Sequence, residues 1–372
     1  MRAEVVFWTA LGVVLYTYAG YPLVLGLLRT VLRRPVKVAP IEPFVSILVP
    51  AYNEARVLAE KIRNVLAIDY PADRFELVVA VDGASDASGE IARSMADGVR
   101  VRALVFAQNR GKLHVLNDVV PQLRGEIVAF SDASSMIERG AIRQLVVSFA
   151  DPEVGAVSGV YRVRKTDSDH LGRQEDFYWK YETFLKKQEA ALGSILGAHG
   201  SLYAIRKDLY PSPDPRTIND DYVIPLRIVQ KGFRVVYEPG AVAQEEAHEM
   251  GGFSRRVRIM AGNIEQLREL GPLFWPPRPL IIFFFLSHKF ARLVVPPALI
   301  AAAIANVALL DSPLYRAIGV LHLAFYILVA IGALFQLRPK VLRLPYYFCM
   351  INAAALVGMY RVMRGRHTLR WK

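Results

Sequence analysis

At 372 residues, 53% of them hydrophobic, the chain has room for one large or two ordinary domains and is too apolar to be wholly soluble. Its 46 Lys and Arg against 34 Asp and Glu leave a formal charge of +12, which by itself fits nucleic acid, anionic lipid or a phosphorylated substrate. A single cysteine, Cys349, excludes an intrachain disulfide framework and any cysteine-built zinc or iron–sulfur centre.

From Val5 to Leu28 no residue is charged, and Arg29, Arg33 and Arg34 come next. The run exceeds the ~20 residues that cross a hydrocarbon core as a helix. It is long for a signal peptide and no small-x-small pattern ends it, so residues 1–34 read as a retained anchor. The positive-inside rule puts the arginines, and the chain beyond Arg34, in the cytoplasm.

Residues 35–270 alternate strand and helix signals, the pattern of a doubly wound α/β domain with a mostly parallel sheet. Val45–Val49 is a near-continuous apolar run of the kind that a strand buried on both faces requires, and Phe75–Val81, Val101–Phe106 and Glu126–Phe130 read as the second, third and fourth strands. Between them Ala55–Leu66, Asp86–Met95 and Leu113–Leu123 carry helical spacing, the last begun by Gly111 and Lys112. Polar residues gather where the strands end: Pro50, Tyr52, Asn53 and Glu54; Asp82, Gly83, Ser85 and Asp86; Asp132, Ala133 and Ser134. Helix capping and turn filling account for any one such cluster. Three on the carboxyl edge of one sheet point to a ligand crevice.

No G-x-G-x-x-G comes after the first strand and no G-x-x-x-x-G-K-[ST] occurs, which removes the dinucleotide fingerprint and the P-loop. Carboxylates repel a diphosphate unless a divalent cation or arginines intervene, yet an aspartate accepts hydrogen bonds from a base N–H or a ribose hydroxyl. A nucleotide-sugar meets that demand.

These motifs resemble the inverting family 2 glycosyltransferases of GT-A type, the membrane-anchored kind related to cellulose, chitin and hyaluronan synthases; the resemblance runs from about Phe44 to about Gly262. It implies a nucleotide pocket begun by Pro50, Tyr52, Asn53 and Glu54 and joined by Lys112, with Asp82 of D-G-A-S-D at the base. The family's D-x-D, which meets ribose, diphosphate and Mg²⁺ or Mn²⁺, corresponds to Asp132-Ala133-Ser134; Asp132 is the expected metal ligand, and a serine hydroxyl replaces the second carboxylate. Asn219, Asp220 and Asp221 match T-E-D, which makes Asp221 the expected base beside Asp220. His199, Gly200 and Ser201 resemble the acceptor loop, and Arg255 and Arg258 the Q-x-x-R-W arginine region, with Ile259 in place of tryptophan. The acidic run Glu245, Glu246, His248, Glu249 reads as a solvated loop or a further ligand source. Phe177–Leu192, rich in Tyr, Trp and Lys, reads either as a helix at the lipid headgroup level or as an ordinary surface helix.

Residues 271–372 return to membrane character. Leu280–Leu310 bears His288, Lys289 and Arg292 early, an expected interfacial lead-in to a span from near Leu293, and Leu314–Gln336 is a second span. Asp311, Ser312 and Pro313 form a non-basic outer turn, while Arg338, Lys340 and Arg343 belong inside. Tyr346–Tyr360, trailed by a basic tail, reads as a helix lying along the cytoplasmic face, its arginines attracted to anionic membrane lipids, so that nucleic acid is not required. The expectation is a multi-pass inner-membrane enzyme moving a sugar, from a UDP-sugar foremost, to a lipid-linked or cell-envelope glycan. A processive polysaccharide synthase is the alternative within the class, and a catalytically silent scaffold the alternative outside it.

Overall fold

Helix α1 (Arg2–Leu15) continues through a π-helical turn, Tyr16–Gly20, into α2 (Tyr21–Leu32), so that Arg2–Leu32 forms a 31-residue apolar helix long enough to cross a bilayer. The computed structural model describes residues 2–164, 172–217, 219–246, 253–265, 278–335 and 340–364. The chain divides into a helical unit, to which the N-terminal helix contributes, and a sheet unit between the apolar segments.

The sheet unit runs β1 (Val45–Ala51), α3 (Ala55–Leu66), β2 (Phe75–Asp82), α4 (Ser88–Ser94), β3 (Val101–Phe106), α5 (Lys112–Val119), β4 (Ile127–Phe130), β5 (Met136–Ile137), α6 (Ala141–Val146), β6 (Val154–Arg164), α7 (Gly172–Leu192), β7 (Tyr203–Arg206), α8 (Asp220–Gln230) and β8 (Arg234–Glu246). All seven residues of β1 and all eight of β2 are buried, which is why these strands read as unbroken apolar runs. Helix α3 lays Leu58, Ile62 and Val65 on Val45, Ile47, Val49, Leu77 and Val79.

The eight strands form one sheet in the order β3-β2-β1-β4-β7-β6-β8-β5. The first four are parallel; β7 runs antiparallel to β4 and β6, β8 parallel to β6, and β5 antiparallel to β8. The sheet is therefore mixed: the doubly wound half expected from the sequence makes its first part, and connections leave β1 and β4 in opposite directions. Ligand crevices open beyond the carboxyl ends of strands at such a point. Because β7 is antiparallel, its first residue, Tyr203, pairs with the last of β4, Phe130. The loop before β7 thus comes to the same edge as the loops after β1, β2 and β4.

The helical unit continues with α9 (Phe253–Glu265), α10 (Pro279–Phe284), a π-helical turn Phe285–Phe290, α11 (Ala291–Val307), α12 (Pro313–Phe335) and α13 (Lys340–Met363). Phe7, Ala10, Ala298, Ala302, Ala305 and Tyr315 pack together, small side chains allowing close helix approach. Pro279–Val307 is one continuous helix of span length, and it contains both the expected lead-in and the expected span from near Leu293. Of the residues that set the expected lead-in, His288 is buried while Lys289 and Arg292 are partly exposed; the neighbouring Ser287 is buried as well, its Oγ 2.7 Å from the Tyr16 hydroxyl. Pro313–Ala333 is the third helix of sufficient length and apolarity among the described residues. The last segment is a 24-residue helix, Lys340–Met363, which extends beyond the expected Tyr346–Tyr360 at both ends. Arg366, Arg370 and Lys372 of the basic tail lie outside the described residues.

Candidate active site

Three loops at the carboxyl edge are braced on one another before any ligand is considered. Asn53 takes a left-handed backbone, φ 56°, a conformation Asn tolerates better than most residues, and its Oδ1 accepts the Ser85 N–H at 2.8 Å. Asp86 accepts the first amide of α3, Ala55 N–H, at 2.9 Å and that of Ser88 at 3.0 Å. It serves as a cap supplied from another loop, which is why α4 begins at Ser88 and not at Asp86. Gly83 has φ +59°, and a Cβ there would stand 2.1 Å from the Asn109 amide nitrogen. No other residue lets the 108–109 backbone cross so close.

Asp82 is fully buried. Its carboxylate accepts the Gly111 N–H at 2.7 Å and the Arg110 N–H at 3.1 Å, so the acid expected at the base anchors the loop that presents Lys112. Pro50 is buried within β1; Tyr52 and Glu54 are partly exposed at its end.

Lys112 is the hub of the site. Its Nζ lies 2.9 Å from Asp132 Oδ1 and 3.1 Å from Asp220 Oδ2. Burial alone would lower its pKa, but Asp132, Asp220 and Asp221 together hold it above the ordinary lysine range. Asp220 is buried, and the Tyr203 hydroxyl donates to its Oδ2 at 3.4 Å. Burial pushes Asp221 up to about 6, Asp220 adding to the rise and Lys112 opposing it.

A proline in α8 prepares the place of Asp221. Pro225 has no N–H to offer the carbonyl four residues back, which is that of Asp221. That carbonyl instead accepts the Ala198 N–H at 2.7 Å, and the Asp221 carboxylate accepts the Gly200 N–H at 3.1 Å. The 197–201 loop is thereby bound to the start of α8 through both backbone and side chain. A Cβ on Gly197 would come within 2.8 Å of the Tyr222 ring, so only glycine allows the loop to lie this close.

The remaining acceptor-loop residues, His199 and Ser201, are buried beside the site. His199 is buried, 5.2 Å from the Trp179 ring and 3.3 Å from Lys186 Nζ. Ser201 is buried and its carbonyl accepts the Ser131 hydroxyl. Lys186, expected among headgroup-level lysines, is buried with Glu182, Leu185, Gln188 and Glu189, and donates to the Ala198 carbonyl at 3.2 Å. From Trp179 onward α7 therefore packs one face into the sheet unit and leaves Lys180, Phe184 and Lys187 exposed.

Ser134 donates to Glu245 Oε1 at 2.6 Å, and Glu245 is 8% exposed at the end of β8. The acidic run is not a solvated loop at this residue: the β5–β8 pairing, Met136 opposite Gln244, carries Glu245 to the turn. His248 and Glu249 lie outside the described residues. Arg258 belongs to α9 of the helical unit, as does Arg255, whose side chain lies outside the described residues.

Lys112, Asp132, Asp220 and Asp221, four of the residues expected from the sequence, thus meet at one rim. Sequence reasoning named Glu245 as a possible ligand source but did not find the part of Lys61, Pro225 or Lys186. Lys61 alone left a local signal, a lysine three residues after Leu58 and four before Val65 on a core-facing stripe.

Residues 42–261 match the family described as "Glycosyltransferase like family 2". The chain is 27% identical over 266 residues to the probable glycosyltransferase YdaM of Bacillus subtilis, covering 66% of this chain and 62% of that protein. It is 26% identical over 230 residues to the poly-beta-1,6-N-acetyl-D-glucosamine synthase of Staphylococcus aureus, covering 60% and 55%. The chain thus spans less than two thirds of the length of either relative. A solved mannosyltransferase, PcManGT from Pyrobaculum calidifontis in complex with GDP-Man and Mn²⁺, superposes with a TM-score of 0.72 at 25% identity, covering 97% of this chain and all of that one.

Proposed function

The chain belongs to the glycosyltransferase-like family 2, and from that premise we propose that it moves a sugar from a nucleotide-sugar to an acceptor hydroxyl with inversion at the anomeric carbon. The observation that carries the reading is Asp221: a half-buried carboxylate, raised to about 6, held by Gly200 and bordering the same space as Asp132. A general base works best with a pKa near the operating pH, and an alcohol attacks poorly until its proton has somewhere to go. Asp221 takes that proton as the bond to the anomeric carbon forms, while the nucleoside diphosphate leaves from the opposite face. Lys112 and Asp220 keep Asp221 and Asp132 in register.

Asp132, Ser134 and Glu245 are hard oxygen donors of the kind Mg²⁺ and Mn²⁺ take, a nucleotide's phosphates and water completing the shell. Among the described residues no three carboxylate, histidine or cysteine side chains are grouped to hold an ion unaided. This donor set therefore fits a cation that arrives with the diphosphate and meets Asp132. Such a cation, when bound, offsets charge developing on the leaving group.

The positive-inside signal of Arg29, Arg33 and Arg34 supports a catalytic domain on the cytoplasmic side of the inner membrane. There a lipid-linked or cell-envelope glycan is the fitting acceptor. The Staphylococcus relative's name supports a second reading, repeated addition to one polymer, which product length distinguishes. The test is release of nucleoside diphosphate by the full chain in nanodiscs, from GDP-mannose and a panel of UDP-hexoses, with and without EDTA. Absence of both release and binding for every donor would overturn the proposal.

A further inference from the structure

Lys61 has no solvent exposure, and it lies on the buried stripe of α3 with Leu58, Ile62 and Val65. Removing an ammonium from water is costly, and an unbranched apolar side chain would fill the position without that cost. What the charge provides is a grip on the turn that bears Asp132. Nζ donates to Ser131 Oγ at 2.7 Å and to the carbonyl of Ser135, one on either side of Asp132-Ala133-Ser134. Three residues along α3, Asn64 fixes the exit of the same segment. Its Nδ2 donates to the Ile137 carbonyl at 2.9 Å and its Oδ1 accepts the Ile137 N–H at 2.8 Å. Asp132 and Glu245 are the acidic neighbours of the ammonium.

The grip extends across the crevice. Ser131, holding the Lys61 proton donor on its oxygen, donates its own hydroxyl to the Ser201 carbonyl at 2.7 Å. Ser201 comes directly after Gly200, whose amide holds Asp221. An unbroken chain of bonds therefore joins α3 to the turn carrying Asp132 and to the loop against which Asp221 rests.

We propose that Lys61 is a positioning residue for the transfer reaction: through Ser131 and Ser135 it fixes Asp132, and through Ser131 and Ser201 it sets the loop that holds Asp221. The inference rests on the family 2 transfer proposed above. It assigns a task to a side chain that is sealed from solvent and acts through its neighbours.

Lys61→Met, Ser131→Ala and the double variant, each as the full chain in nanodiscs, test it with whichever of GDP-mannose and the UDP-hexoses the wild type turns over. Small misplacements of reacting groups cost as much as roughly 10²-fold, so Lys61→Met is expected to lower kcat by about that factor. Donor KM should change by less than about threefold, the signature of a lost transition-state geometry and not of lost binding. Ser131→Ala, which keeps the ammonium and its bond to Ser135, is expected to lose about tenfold, and the double variant no more than Lys61→Met alone, because both interrupt one chain. Wild-type kcat in a folded Lys61→Met, or losses that multiply in the double variant, would each overturn the proposal. Should Lys61→Met not fold, Ser131→Ala decides alone, wild-type kcat there being the overturning result. A wild type that releases no diphosphate from any donor fails the underlying reading first, and this one with it.

Discussion

The Gly200 amide donates to Asp221 Oδ2 at 3.1 Å, and the space beside its Cα is bounded by a second carboxylate: a Cβ would stand 3.1 Å from Asp132 Oδ2 and 3.5 Å from Asp221 Oδ2. A methyl group there needs Asp132 to yield by a few tenths of an ångström, and Lys112 holds that side chain from its other oxygen. Gly200→Ala is expected to leave the fold intact and lower kcat roughly tenfold to 10²-fold. Circular dichroism alongside nucleoside diphosphate release checks both halves; unchanged kcat would remove Gly200 from the geometry of the site.

Asp221→Asn removes the base while keeping the shape and the hydrogen bond from Gly200. Turnover should fall by about 10² to 10⁴, with nucleotide binding retained. The wild-type pH profile carries the same information. Burial, reinforced by Asp220, raises the carboxyl to about 6, and a base acts deprotonated. The rate should be level above that value and fall as pH drops through it, a limb that Asp221→Asn lacks. Stability runs the other way: a carboxyl raised on folding favours the native state most below the ordinary carboxylate range, and that contribution is lost as pH rises through about 6.

Lys112→Gln tests the hub. With the ammonium gone, Asp132, Asp220 and Asp221 face one another without a fixed counter-charge, and Lys112 is the main group opposing the rise of Asp221. The acidic limb of the rate profile should move upward by roughly one pH unit or more, and kcat at neutral pH should fall accordingly. A limb left in place would show that Lys112 does not set the protonation of Asp221.

The range of each interaction decides whether the sequence discloses it. Strands β1, β2 and β4 are legible because parallel strands covered on both faces must be continuously apolar, and the motif loops because they end those strands. The meeting of Lys112 with Asp132, Asp220 and Asp221 was legible only as far as the family motifs ordered the residues. The Ser134–Glu245 bond depends on β5 pairing with β8, a contact between strands about a hundred residues apart for which no local pattern exists. The link from the Asp221 carbonyl to Ala198 required knowing that Pro225 leaves that carbonyl unpaired and that β7 reverses direction. The membrane-length helices are legible by apolar length, whereas the burial of His288 depends on neighbours that no local pattern announces.

The departure of Asp132-Ala133-Ser134 from D-x-D yields the least intuitive expectation. Restoring the family's second carboxylate with Ser134→Asp should impair the enzyme, since the serine hydroxyl is the donor in a 2.6 Å bond to Glu245 Oε1. An aspartate there sets two carboxylates against each other in a partly buried place, above Lys61, whose charge burial already disfavours. Like charges so placed either force one to stay protonated or push the turn apart. The paired variant Ser134→Asp/Glu245→Gln moves the acid from β8 to the turn without adding charge and should recover most of the lost rate. Turnover measured against Mn²⁺ concentration makes the comparison: the single variant is expected to need more cation for half-maximal rate than either the wild type or the pair. If the single variant matches the wild type and the pair gains nothing, Glu245 has no share in the electrostatics of the site, and the D-x-D position tolerates serine for some other reason.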